Sequence, residues 1–219
     1  LQAQAPLPPN YTTLLTNDSF KIIRVHYGPH EKVPVHDHPD VTTVYVYLNN
    51  SGPVNIIHDQ TPPNIITRPP THTGAFRVSR GRIERHAIEN LSDLPSDFLR
   101  VELPTIHLGD ADLEFRGPAP ASLAQNLDAA EFSSPHVAVT RIVCVQTTPC
   151  AIPPSTAPSV LIGLADSTIT TNNKTTTLGL GSVMAVQPNQ SLQVTPTKTS
   201  APAHLLQVFV QFPANLPPR

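Results

Sequence analysis

Twenty-six of the 219 residues are proline. A proline inside a helix removes one backbone hydrogen bond and crowds the preceding turn, at a cost of about 3 kcal/mol. So many of them exclude a helical bundle and favour short extended segments separated by turns. A chain of this length buries roughly 70% of its unfolded surface, so it needs neither crosslinks nor a metal merely to fold. It is long enough for one large domain or two small ones. The formal net charge is −2 and only 14% of residues are charged, which gives no field to draw in a polyanion, and nucleic acid is not an expected partner. No run approaches the ~20 apolar residues of a membrane-spanning helix, so no membrane association is expected either.

Short runs rich in β-branched residues, divided by Pro, Gly, Asn or Asp clusters, recur at 20–27, 43–48, 54–58, 98–103, 136–145, 159–165, 183–186 and 205–212. This pattern predicts an all-β chain. One helical signal interrupts it at 120–132, where Ser122 can cap and Leu123, Leu127 and Ala130 share a face. The strand-rich halves on either side are alike. KIIRVHY at 21–27 opens the first and VAVTRIVCV at 137–145 the second, while FLRVEL at 98–103 and LLQVFVQF at 205–212 close them. A duplication with a period of about 110 residues follows. The expected organisation is a flexible segment over 1–15, a first unit over 16–116, a linker with a short helix over 117–132 and a second unit over 133–219.

The opening LQAQAPLPPN resembles what is left at a signal-peptidase cleavage site, which leads us to expect a secreted or periplasmic protein. Cys144 and Cys150 stand six apart around Thr147, Thr148 and Pro149. They fit a disulfide across a turn in an exported protein, and equally two separately buried thiols.

Chemistry concentrates among the ten histidines. His36 and His38 flank Asp37 in PVHDHP, and in an extended segment both imidazoles project from one face. His86 and Asn90 share a strand face further on. If the two segments pair, His86 adds a third nitrogen. No Ser-His-Asp or Cys-His pattern competes with this set.

The sequence here resembles the cupin superfamily over residues 18 to 105. The first cupin motif runs glycine, spacer, His-x-His, glutamate, glycine, and Gly28, His36, His38 and Gly52 match it. The second, Pro-x-Gly-x-x-His-x-x-x-Asn, is matched by Gly81, His86 and Asn90. The first-motif glutamate would fall at Thr42 or Thr43 and is absent. Gly81 stands two positions early, with Ile83 in the usual glycine place. The resemblance implies two tandem antiparallel β-barrels, a bicupin, with His36, His38 and His86 holding a divalent metal ion (Fe2+, Zn2+, Ni2+ or Mn2+) in the first. Imidazole ligands do not choose among these metals.

Three histidines without a carboxylate resemble the sites of thiol and diketone dioxygenases in the same superfamily. Glu84, two residues before His86, and Asp40, two after His38, are the carboxylates that could fill the gap. Glu102 alternates with apolar residues and is expected to face solvent. His26 is the expected orienting partner for a ligand. Tyr45 and Tyr47 suit either core packing or a ligand-contacting wall. The second half has Pro154 and Thr156 near the positions of His36 and His38, and Gln193 in place of the later histidine, so a degenerate barrel without a metal is expected.

Two functions follow. One is a metal-dependent oxygenase or related oxidoreductase acting on a small molecule; the other is a non-catalytic module binding a sugar or organic acid, with a structural metal or none. A homodimer is compatible with either. Ligation by imidazoles predicts metal affinity that falls below about pH 6 as they protonate.

Overall fold

The computed structural model describes residues 7–108, 115–120, 122–172 and 174–211. Among the described residues there are strands and no helix. The chain divides into two compact units, Leu1–Ala119 and Pro120–Arg219.

The first unit runs β1 (Tyr11–Thr16), β2 (Lys21–Tyr27), β3 (Lys32–His38), β4 (Thr42–Tyr47), β5 (Val54–His58), β6 (Asn64–Arg68), β7 (Phe76–Ser79), β8 (Glu84–Asn90), β9 (Ser96–Leu103) and β10 (Phe115–Gly117). The strands form two antiparallel sheets, ordered β1-β2-β9-β4-β7-β10 and β3-β8-β5-β6. Alternation decides what lies between them. Ile23, Val25 and Tyr27 of β2, Phe98 of β9 and Tyr47 of β4 meet Val33, Val54 and Ile88 from the second sheet. The opening segment is less free than its prolines suggest. Tyr11–Thr16 pairs along β2 from Tyr11↔Val25 to Thr16↔Lys21, and Tyr11 packs against the apolar interior. The Thr- and Leu-rich run YTTLLT suits a strand.

The second unit runs β11 (Leu127–Ser133), β12 (Val137–Cys144), β13 (Cys150–Ile152), β14 (Ser159–Ala165), β15 (Ser167–Thr171), β16 (Lys174–Leu178), β17 (Val183–Val186), β18 (Leu192–Pro196) and β19 (Ala203–Val210). Its sheets are ordered β11-β12-β19-β14-β17 and β13-β18-β15-β16. Substituting β1, β2, β9, β4, β7 and β3, β8, β5, β6 for these reproduces the first unit's order; β10 alone is additional. The repeated segments in the sequence thus occupy matching places in matching sheets.

The helix expected within 120–132 is absent. Ser122 Oγ does accept the Ala124 N–H at 3.2 Å, yet the chain then extends into β11, paired to β12 from Leu127↔Val143 to Ser133↔Ala138. A helix this short is marginal in water, and β11 gains a ladder plus a buried ion pair that no helix would offer. Arg141 of β12, wholly buried, donates from Nε and Nη2 to the Glu131 carboxylate at 2.6 and 2.9 Å. Its Nη1 lies 2.8 Å from His204 Nε2. Burial, with Arg141 adding to it, holds His204 down at about 4.

Cys144 and Cys150 form a disulfide joining the end of β12 to the start of β13. Closing so short a loop contributes about 2 kcal/mol by the chain-entropy estimate. The inward positions of β13 and β18 are Cys150, Ile152, Leu192 and Val194, all within one apolar cluster with Leu161, Ile169 and Leu205. Gln193 points outward and is exposed.

Candidate metal centre

Two local features turn the three histidines into one group. The first is a bulge in β3. Its register against β8 runs Lys32↔Glu89, Val33↔Ile88 and then His36↔His86, so β3 carries one residue more than its partner between Val33 and His36. Pro34 sits in that interval and has no N–H to give the ladder. The extra residue reverses the alternation. Val33 faces inward, as do His36 and His38, while Val35 is exposed. Without the bulge, Val35 and Asp37 would take the inward positions. The second feature is the pairing itself, which sets His36 directly opposite His86.

The three rings form a near-equilateral triangle, with centroids 4.8 Å apart for His36–His38, 4.9 Å for His36–His86 and 5.0 Å for His38–His86. One nitrogen from each lies within 4.8 Å of the others, and all three residues are buried. Burial, helped by the Arg100 guanidinium and the other imidazoles, holds His38 down at about 2. Burial, then His36 and Arg100, holds His86 at about 3. His36 is lowered for the same chief reason, burial. All three are therefore neutral near pH 7 and offer lone pairs.

The hydrogen bonding leaves those lone pairs largely unused. Neither ring nitrogen of His38 has a partner among the described residues, nor does Nδ1 of His86 form a hydrogen bond. A buried polar atom left unpaired costs about 1–3 kcal/mol. His36 Nδ1 lies 2.8 Å from the Pro34 carbonyl oxygen, which can only accept, so Nδ1 carries the proton and Nε2 the lone pair. Three neutral imidazoles converging, two of them with orphaned nitrogens, fit a divalent cation.

One phenol intervenes. Tyr11 Oη lies 2.7 Å from His36 Nε2 and 2.8 Å from Tyr27 Oη. Because Nε2 accepts, Tyr11 donates to it and Tyr27 donates to Tyr11. A cation at His36 Nε2 must displace that hydrogen bond. Tyr11→Phe is accordingly expected to raise metal affinity about fivefold, the equivalent of one hydrogen bond of about 1 kcal/mol; titration calorimetry would read it.

The structure brings the three histidines together, and several surrounding residues fall elsewhere than expected. Glu84 shares the inner face with His38, its cross-strand partner. Its Oε2 lies 3.6 Å from His86 Nδ1, yet it is not among the atoms close enough to share one cation. Asp40 is exposed, and Gly81 leaves the space its carboxylate fills. Glu102, expected at the surface, is buried. β9 lies between β2 and β4 in the sheet, and Arg100 Nη2 pairs with Glu102 at 3.3 Å, which offsets its charge. His26 points away from the triangle and is exposed, because Val25 and Tyr27 on either side of it are buried. The Pro34 carbonyl takes the orienting role expected of His26. Asn90 is structural: its Nδ2 donates to Gly28 O at 2.8 Å and Leu94 O at 2.9 Å, tying the two glycine-bearing motifs together. His58, at the end of β5, stands opposite His86, with ring centroids 6.0 Å apart.

Beside His38 and His86 opens a cavity of about 120 Å³. Tyr45, Tyr47 and Phe98 form part of its wall, so the two tyrosines both pack and face the space.

No family model matches the sequence, and no curated protein matches it. Solved structures do. The cupin 2 conserved barrel domain protein from Leptotrichia buccalis covers 96% of this chain and 92% of its own, with 11% identity and a TM-score of 0.55. The fold is that of the cupins. A bacterial pirin, YhhW from Escherichia coli, solved in complex with nickel(II), aligns over 92% of this chain and 90% of its own at 11% identity, TM-score 0.62. Salicylate 1,2-dioxygenase from Pseudaminobacter salicylatoxidans aligns over 92% and 77% at 12% identity, TM-score 0.59. At such identities the likeness is one of fold, and the chemistry of this chain rests on its own residues.

Proposed function

We propose that this protein is a bicupin whose first unit is a metal-dependent oxygenase or related oxidoreductase acting on a small molecule, with His36, His38 and His86 as ligands. The observation that carries this reading is the buried triangle of neutral imidazoles, in which both His38 nitrogens and His86 Nδ1 have no hydrogen-bond partner among the described residues, set at the wall of a cavity. A bound divalent cation would supply a Lewis-acid or redox centre with positions left open. The chain's own residues do the rest. Pro34 fixes the His36 tautomer, and the apolar residues around the cavity exclude water. The neighbours that bind nickel or act on salicylate support the reading by fold. In the second unit the matching strands β13 and β18 present apolar side chains inward, and we assign that unit a structural part. The Cys144–Cys150 disulfide supports an exported location.

Elemental analysis of protein purified without a histidine tag tests the site, and oxygen uptake after ferrous reconstitution tests the activity. Near-stoichiometric metal with uptake is expected. Stoichiometric zinc with no turnover on any iron-loaded sample overturns the oxygenase reading. It would leave the second reading, a non-catalytic small-molecule binder, which the Tyr11–His36 hydrogen bond favours because it occupies a ligand nitrogen within the protein.

A further inference from the structure

The cavity beside the histidines carries a charge pattern that the metal does not explain. Four arginines line it, Arg68, Arg77, Arg100 and Arg116, against a single carboxylate, Glu84, among the described residues. Arg100 is matched by Glu102. Arg68, at the end of β6, is not. No carboxylate pairs with it among the described residues. Its Nη2 donates to Ser51 Oγ at 3.1 Å and Ser96 Oγ at 2.9 Å, and its guanidinium lies 5.6 Å from the Tyr47 ring centroid and 5.7 Å from that of Phe98. Nε is buried without a partner. Two hydroxyls and two aromatic faces thus hold the fork in place, while the N–H donors on Nε and Nη1 are left without acceptors among the described residues.

A half-buried guanidinium without a counter-ion is costly to maintain. Burial shifts Arg68 below the ordinary guanidinium value, and a charge-assisted hydrogen bond to a carboxylate would repay that cost. Apolar and aromatic side chains, among them Tyr45, Phe98, Ile56 and Ile88, make up much of the rest of the wall. A volume near 120 Å³ is close to that of a cavity known to accept a single benzene-sized ring. We propose that this cavity takes a small organic monocarboxylate, its carboxylate on Arg68 and its apolar body between the aromatic wall and His38 and His86. The proposal rests on the metal-site reading for what happens to the bound acid, and on Arg68 and the cavity alone for the binding.

The probes are benzoate and its uncharged counterpart benzamide, titrated calorimetrically into the metal-free full chain. Benzoate is expected to bind at least about tenfold more tightly than benzamide, the equivalent of about 1.4 kcal/mol for the charged contact. Arg68→Gln should remove that preference, and Arg68→Lys, which keeps charge without the fork, should restore part of it. Equal binding of the two probes, or no benzoate binding, overturns the proposal, and this comparison needs no variant to fold. An unchanged preference in a folded Arg68→Gln also overturns it. Because the titration uses metal-free protein, benzoate binding with no metal uptake sinks the metal reading alone, and metal uptake with no benzoate binding sinks this one alone.

Discussion

His86→Ala is expected to reduce divalent-metal affinity by on the order of a hundredfold or more, since even an outer-shell partner of a ligand is worth 10–100-fold. The physical reason is the shape of the group. His86 stands opposite His36 across the β3–β8 ladder and, among the described residues, supplies one of three nitrogens close enough to share a cation. Glu84 is the nearest replacement, but its carboxylate approaches His86 rather than the centre of the triangle. The fold should survive the change. Removing His86 also removes a buried nitrogen without a partner, which offsets part of the packing lost. Calorimetry with nickel or zinc, alongside circular dichroism, reads both. Wild-type affinity in a folded His86→Ala protein would show that the three imidazoles do not act as one ligand set.

The central strands and the His36–His38 pair were legible in the sequence because both depend on short-range patterns, whereas His86 joins that pair only through the β3–β8 pairing and was reached by the motif resemblance. The runs at 20–27, 43–48, 54–58, 98–103, 136–145 and 159–165 are apolar enough to be strands in any context, and they became β2, β4, β5, β9, β12 and β14. His36 and His38 declare a shared face by their spacing alone. Which face they take depends on the bulge at Pro34, and Pro34 was a visible sign of it. What escaped was set by partners far away in the chain. The 127–133 segment has helix-forming residues, but Glu131 finds Arg141 only when β11 is extended. Glu102 reads as a surface charge until Arg100 and the neighbouring strands enclose it. Tyr11 and Arg68 carry no motif at all. Tyr11 reaches His36 across 25 residues and Arg68 reaches Ser96 across 28, and alternation within either strand gives no hint of those encounters.

Lowering the pH should destabilise the metal-free protein steeply, because the same imidazoles that offer lone pairs resist protonation. His38 and His86 are held near 2 and near 3 in the folded chain, against about 6.5 when unfolded. Below pH 6.5 the unfolded state therefore binds protons that the folded state refuses. The stability these groups provide is complete above the unfolded value and is lost as pH falls towards the folded values. Each group contributes up to about 1.4 kcal/mol per pH unit, so at pH 4.5 the two together remove on the order of 5 kcal/mol. That is comparable to the whole stability of many domains. Denaturant midpoints at pH 7 and 4.5, measured in the presence of a chelator, check it. His38→Leu should flatten the dependence, and midpoints equal at the two pH values would contradict the burial of these rings. Metal affinity follows the same logic. In the folded chain His38 and His86 are already deprotonated at pH 6, so their share of the affinity loss expected there from free imidazole moves lower. Affinity should fall less between pH 7.5 and 5 than free imidazole would give, and then fail together with the fold.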